Sequence, residues 1–339
     1  MKTLVMQASA SAVDFASNLI RNGEIVAVPT ETVYGIAGSA YDGNAIKKIF
    51  EAKGRPQDNP LIVHISSMDM LFEVASYVSD DAKKLAEAFW PGPLTIVVPK
   101  GDKVAKETCA GLDSVGVRMP SNQFAHDLIV KSGVPFAAPS ANLSGKPSPT
   151  NAQAVIEDMD GRLPLIVDGG ESFGGVESTV VSVLGKSPVL LRPGSVTKED
   201  MEKVLGKEVL ISSAILESVK EGESVLSPGM KYKHYAPKAE VIVVEGDFHS
   251  FEKFVNENAT DKTYCLVFSG EEDKLSYPCV TLGAIDDDDS QAHNLFACLR
   301  RLDELGAKKV FARCPKKVGV ALAVYNRLIR AAGFNIVTV

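Results

Sequence analysis

The segment EAKGRPQDNPLIVHI, residues 51–65, places Lys53 and Arg55 on either side of a glycine. Two prolines and an apolar run carrying His64 follow. Two cations held toward one place repel each other unless an anion lies between them. Phosphate suits such a pair, with the guanidinium as a planar fork and the ammonium as a point charge. A plainer reading is equally open. Cations suit the negative end of a helix, Gly54 supplies a left-handed stop, and Pro56 prevents continuation. That reading explains Lys53 better than Arg55, which lies beyond the glycine and before a proline, where the backbone is extended.

Other polar groups gather where apolar runs end. PFAAPSANLSGKPSPT (135–150) passes from an apolar strand into Ser140, Asn142, Ser144 and Ser148. In an extended chain Ser140 and Asn142 point to the same side, and α/β sheets bind ligands outside the carboxyl ends of their strands. Turn-forming residues are the alternative, but a turn does not require so many polar side chains directly after a core strand. VPTETVYGIA (28–37) sets Thr30, Glu31 and Thr32 before a glycine turn, and GGVESTVVSV (174–183) opens a strand with Glu177, Ser178 and Thr179. Arg118 and Arg192 each stand one or two residues before a proline. A histidine in an apolar strand, such as His64, is more often a core residue than a ligand. The sequence has no HExxH, no G-x-S-x-G elbow and no cysteine with evident nucleophile partners. Cations, hydroxyls and amides at strand ends instead suit the binding and orienting of a polyanion and a small polar substrate.

Helical and strand patterns alternate, which predicts an α/β fold. Helices are expected from a Ser11 cap to Gly23, over 43–54, over 79–91, from a Ser121 cap to Gly133, and over 197–206 with a Thr197/Asp200 capping box. Strands are expected at 24–29, 61–65, 94–99, 114–120, 134–140, 163–170, 178–183 and 188–194. The spacing therefore predicts a first domain over residues 1–206. EGESVLSPGMKYKHYAPK (221–238) has no clean period and reads as linker. A disordered tether would carry few aromatics, and this one holds Tyr232 and Tyr235, so 207–238 is expected to order as a lid. A second α/β domain is expected over 239–339, with a long helix from Ser290 to Gly306. It reads as a small Rossmann-like sheet lacking the glycine phosphate signature. The acids at 286–289 suit a helix N-terminus better than a metal site.

The chain has 339 residues, enough for two ordinary domains, and a net charge of −7. An acidic total argues against general nucleic-acid binding, although it can conceal one basic cleft. No apolar run approaches the ~20 residues of a membrane span, and Leu4–Met6 is too short for a signal peptide. The five cysteines form no CxxC, so neither zinc nor a disulfide framework is indicated, and a reducing cytoplasm is expected.

Six motifs occur in order: PTETVYG (29–35), KGRPQDNPL (53–61), FWPGPLT (89–95), GVRMP (116–120), PSANLSG (139–145) and ESTVV (177–181). Together they resemble the YrdC-like threonylcarbamoyl-AMP synthases, and SPGMKYKHYAPK with the trailing α/β region resembles the family's long form. The resemblance implies a twisted N-terminal sheet with helices around a concave basic cleft. It implies synthesis of L-threonylcarbamoyladenylate and pyrophosphate from L-threonine, bicarbonate and ATP. The product feeds the transferase machinery that modifies the adenosine beside the anticodon of tRNA. By the same resemblance Lys53, Arg55, Ser140 and Asn142 are catalytic. Arg55, Asn59, Ser114, Ser140, Ser148, Arg192 and Tyr235 face ATP; Thr32, His64, Arg118, Ala138 and Ser178 face threonine. Magnesium would be held through the phosphates, with no dedicated protein metal site, and weak RNA contact is left open. Two rival readings are a double-stranded RNA-binding module and a carbamoyltransferase that forms carbamoyladenylate. The acidic total weighs against the first, and the lack of paired cysteines against the second.

Overall fold

The computed structural model describes residues 2–217 and 234–339. They form two units. The first takes the described residues to 217 except 145–147 and 174–176, and those two short segments group with residues 234–339 in the second.

The first unit carries β1 (Leu4–Gln7), α1 (Ala10–Arg21), β2 (Val26–Val28), β3 (Gly35–Ser39), α2 (Gly43–Lys53), β4 (Ile62–His64), α3 (Met68–Val74) and α4 (Asp80–Phe89). There follow β5 (Leu94–Pro99), β6 (Ser114–Arg118), α5 (Gln123–Ser132), β7 (Phe136–Ala137), α6 (Ala152–Met159), β8 (Leu165–Asp168), β9 (Thr179–Ser182), β10 (Val189–Arg192), α7 (Lys198–Leu205) and β11 (Leu210–Ile211). The strands form one mixed sheet in the order β1-β8-β2-β3-β7-β4-β6-β5-β9-β10-β11. Apolar stripes of α1 and α5 (Ala12, Ala16, Ile20; Ala125, Leu128, Ile129) bury Val26, Val28, Phe136 and Leu165. A smaller apolar cluster, Ile62, Val97, Val180 and Leu191, lies among β4, β5, β9 and β10. Ordered structure continues past residue 206, since β11 pairs in parallel with β10 and Ile215 is buried.

The second unit carries β12 (Glu240–Glu245), α8 (Phe248–Asn258), β13 (Thr263–Val267), β14 (Cys279–Thr281), α9 (Asp288–Glu304), β15 (Lys309–Arg313), α10 (Ala321–Ala331) and β16 (Ile336–Thr338). Its sheet runs β14-β13-β15-β12-β16 with every neighbouring pair parallel. This is the Rossmann-like arrangement expected, with helices as crossovers.

Several helix starts differ from expectation for a local reason. Ser9, not Ser11, caps α1, because Ser9 is extended and its Oγ accepts from Ala12 N. Asn122, not Ser121, caps α5; Ser121 N instead donates to Glu31 Oε1. Helix α9 begins at Asp288, capped by Asp287, with Asp288 and Asp289 in its positive first turn. The capping box of Thr197 and Asp200 is present. Strand β3, GIAGS, has no strand-like alternation. Its glycines are there for packing, since a Cβ on Gly38 would stand 3.1 Å from Ile49 and 3.2 Å from Ile25.

Helix α2 ends as its sequence predicts. Gly54 is left-handed at φ 62°, and the amides of Gly54 and Arg55 close back on Glu51 O and Phe50 O at 3.1 and 3.0 Å, a Schellman arrangement. No atom lies within 4 Å of a Cβ added at Gly54, so replacement costs only backbone strain. Gly54→Ala should lower stability by ~1 kcal/mol and Tm by ~2–4 °C. Gly54→Asn should cost less, as scanning calorimetry can verify; equal losses would show that the left-handed turn is not the constraint.

Candidate functional site

Strand register places His64 beside Arg118. The parallel pair β4/β6 aligns the two residues, and β7 aligns Phe136 with His64 on the other flank. His64 stacks on Phe136 with ring centroids 5.1 Å apart, and its Nδ1 lies 3.1 Å from Ile62 O. Burial, and then the charge of Arg118, push its pKa down to about 3, so the imidazole is neutral.

Arg118 is also buried. Its Nε donates to Gly92 O at 3.3 Å, its Nη1 to Thr32 Oγ1 at 2.9 Å, and its Nη2 pairs with Glu31 Oε1 at 2.6 Å. Thr32 Oγ1 is in turn 2.9 Å from Thr30 Oγ1. Burial raises the pKa of Glu31, but the charge and hydrogen bond of Arg118 outweigh it and hold the carboxyl below its ordinary value. The turn 29–33 thus brings Glu31 and Thr32 onto one guanidinium beside Gly92 O, with Thr30 bonded behind Thr32. Five N–H donors in a fork exceed these three partners, which leaves capacity for a ligand carboxylate.

Lys53 makes a different attachment. It is 3% exposed, and its ammonium donates to Ser140 O, to Asn142 O at 2.8 Å and to Asn142 Oδ1 at 3.4 Å. Its own carbonyl accepts from Ser144 N at 2.9 Å. Ser140 Oγ donates to Asn142 Oδ1 at 2.6 Å. The K-x-R and S-x-N motifs therefore meet, and Lys53 clamps the 140–144 loop. Burial, then the like charge of Arg55, lower the Lys53 pKa well below its ordinary value, against the opposing charges of Asp158 and Glu177.

Ser148 and Ser178 belong to two further contacts. Buried Ser148 donates to Glu177 Oε1 at 2.6 Å. Ser178 Oγ lies 2.8 Å from Thr95 Oγ1, while Arg192 donates to Ser178 O at 3.0 Å and to its Oγ at 3.1 Å. Asn59 is fully buried; its Nδ2 donates to Asp58 Oδ1 at 3.2 Å, and its Oδ1 has no partner. Such an orphan amide oxygen normally finds a donor. Ser114 opens β6 and is buried, and Ala138 N donates to Ile62 O at 3.0 Å.

Tyr235 belongs to the second unit, at φ 64°, 5.1 Å from the ring of Phe296. The expected lid falls mainly on residues 218–233, including Lys231, Tyr232 and Lys233, which lie outside the described residues. Sequence reasoning gave no role to Glu31, Thr95, Phe136 or Glu177. Of these, Glu31 and Glu177 lay inside polar stretches already singled out, whereas Thr95 and Phe136 lay in strands that read as core.

Comparisons with known proteins identify the family. The Sua5/YciO/YrdC family model, described as "Telomere recombination", matches residues 18–194. A second, "Threonylcarbamoyl-AMP synthase, C-terminal domain", matches 196–333. The chain is 46% identical to a threonylcarbamoyl-AMP synthase of Pyrococcus abyssi, covering 96% of this chain and 95% of that one. It is 43% identical to the synthase of Bacillus subtilis, covering 95% and 93%. The crystal structure of P. abyssi Sua5 complexed with L-threonine superposes with a TM-score of 0.91 at 44% identity, covering 99% of this chain and 100% of that one. The chain belongs to the threonylcarbamoyl-AMP synthase family, nucleotidyltransferases that make threonylcarbamoyl-AMP from threonine, bicarbonate and ATP. No helix among the described residues is long and apolar enough to cross a membrane.

The neutral His64 has a measurable consequence. Its folded pKa lies below the unfolded value of ~6.5, so the unfolded chain binds the extra proton and stability falls as pH drops from ~6.5 toward 3. The slope approaches ~1.4 kcal/mol per pH unit within that window. The stability advantage of the parent over His64→Asn should therefore shrink between pH 7 and pH 5 in paired thermal melts. A constant gap would mean that His64 titrates in the fold as it does in the unfolded chain.

Proposed function

We propose that the polar residues gathered around β4, β6 and β9 are the substrate site for this chemistry, with Lys53, Arg55, Ser140 and Asn142 as its catalytic group. The observation that carries the proposal is the convergence of the K-x-R and S-x-N motifs, because the Lys53 ammonium holds both ends of the Ser140–Asn142 turn. Arg55, Asn59, Ser114, Ser140, Ser148, Arg192 and Tyr235 are the residues assigned to ATP. The partnerless Oδ1 of Asn59 suits the adenine amino group or a ribose hydroxyl as donor. Threonine sits against Thr32, His64, Arg118, Ser178 and the backbone at Ala138. Arg118 holds its carboxylate, Glu31 attracts its ammonium, and the neutral His64 and Ser178 read its hydroxyl.

The reaction needs no enzymic nucleophile. The threonine amine adds to bicarbonate-derived carbon dioxide and loses a proton to give the carbamate. A carbamate oxygen then attacks the α-phosphorus, and the bond to the bridging oxygen breaks with the electron pair leaving on pyrophosphate. Catalysis is positioning and charge neutralisation by Arg55 and the Lys53-anchored loop. Among the described residues no three His, Cys, Asp or Glu side chains gather as a metal-binding group. A magnesium ion held through the phosphates would add neutralisation there. The adenylate passes to a threonylcarbamoyl-transferring system acting on tRNA, which places the enzyme in the cytoplasm and makes any direct RNA contact secondary.

Arg55→Ala should lower threonine-dependent pyrophosphate release by ~10²-fold or more with Tm within a few degrees of the parent. Arg118→Lys should chiefly raise KM for threonine, since a point charge replaces a fork. Mass spectrometry of a mixture of protein, threonine, bicarbonate and ATP should show the adenylate. Near-normal turnover in Arg55→Ala would overturn the assignment.

A further inference from the structure

Neighbouring strands of the first unit set one row of side chains. Strand β4 aligns His64 with Arg118 of β6, and β6 pairs with β5 so that Val117 lies opposite Ile96, which puts Thr95 opposite Arg118. On the far flank β5 aligns Thr95 with Val180 of β9, and the 2.8 Å contact between Thr95 Oγ1 and Ser178 Oγ brings Ser178 to the row. All of these residues belong to the first unit. Thr95 is fully buried, and its methyl would lie 3.1 Å from a Cβ on Gly116. The glycine therefore gives the methyl its place, and the hydroxyl faces Ser178.

Which groups can donate fixes the polarity of the row. A guanidinium only donates, so Ser178 Oγ accepts from Arg192 Nη2 at 3.1 Å. Thr95 and Ser178 then share one contact and two hydroxyl hydrogens. One hydrogen is left over, and neither hydroxyl has a further partner among the described residues. An acceptor on the ligand resolves this in one way. Thr95 donates to Ser178, both lone pairs of Ser178 Oγ are filled, and Ser178 offers the ligand a hydrogen and nothing else. His64 is locked in the opposite sense. Ile62 O, 3.1 Å from its Nδ1, can only accept, so Nδ1 carries the proton and Nε2 keeps a lone pair.

We propose that Thr95 is a positioning residue that makes the threonine subsite directional: Ser178 donates to the substrate hydroxyl, and His64 Nε2 accepts from it. Such a pair takes a group that is donor and acceptor at once. It selects a β-hydroxy amino acid against one with a methyl in the hydroxyl's place. This rests on the assignment of His64 and Ser178 to threonine.

The test uses the full chain with threonine, serine and valine as substrates, reading kcat/KM from pyrophosphate release, KM for ATP and Tm. The parent should prefer threonine over valine by at least ~10²-fold. Thr95→Val should lower that preference ~10-fold and leave KM for ATP within about twofold. The preference for threonine over serine, set by a methyl that this bond does not touch, should also stay within about twofold. Thr95→Ser should restore the parent's preference, and Thr95→Cys, a weak donor, should fall between. Thr95→Val combined with Ser178→Ala should show no lower preference than Ser178→Ala alone, because the first change acts through the second residue. If Thr95→Val does not fold, Thr95→Cys carries the same comparison. An unchanged threonine/valine preference in Thr95→Val, while Ser178→Ala lowers it, overturns the positioning role and leaves the site assignment standing. An unchanged preference and an unchanged KM for threonine in Ser178→Ala overturn the assignment of Ser178 and the proposal with it. A loss in Thr95→Val that falls alike on threonine, serine and valine and tracks a drop in Tm also overturns the proposal.

Discussion

A buried ammonium organises the first unit's site. Lys53 lies at the last turn of α2, almost wholly out of water, and its donors go to carbonyl oxygens of the Ser140–Asn142 turn and to the Asn142 amide. A buried cation without such partners would cost several kcal/mol, so the turn is as necessary to Lys53 as Lys53 is to the turn. The left-handed Gly54 then turns the chain, and Arg55 stays near enough for its charge to lower the Lys53 pKa. In the proposed site, a helix stop and an anion site, which compete as readings of residues 51–65, are one device.

The second constraint is sheet register. With β6 beside β4 and β7 on the other side, His64, Arg118 and Phe136 come into line although they are far apart in sequence. A one-residue slip would turn His64 and Arg118 to opposite faces. Their proximity has an electrostatic result. A guanidinium beside a buried imidazole keeps that imidazole neutral, while the same guanidinium keeps Glu31 ionised. The proposed threonine side of the site therefore combines a cation, an anion and a neutral hydrogen-bonding ring, which suits a zwitterion with a hydroxyl.

Much of this was legible in the sequence, and what was not has physical causes. The α/β alternation, the Gly54 stop, the Thr197/Asp200 capping box and the acid-led start of α9 follow from local rules and are present. Strand β3 was not legible, because its glycines answer to contacts with Ile25 and Ile49, which no local pattern reveals. The cap at Asn122 was misread as Ser121 because both residues are good caps, and the choice depends on a distant acceptor, Glu31. Lys53 and Arg55 could be singled out as a cationic pair, but not their division of labour. That Lys53 spends its hydrogen bonds on a loop some 90 residues later is a tertiary fact.

Whether Lys53 holds the 140–144 loop in place is tested most directly by amide hydrogen exchange. The amides of Ala141 and Ser144 bond to Tyr34 O and Lys53 O at 2.8 and 2.9 Å and should be slow to exchange in the parent. In Lys53→Met, peptides covering 139–145 should exchange at least ~10-fold faster while peptides from α1, α5 and the second unit stay unchanged. Unchanged protection of 139–145 in a folded Lys53→Met protein would contradict the account.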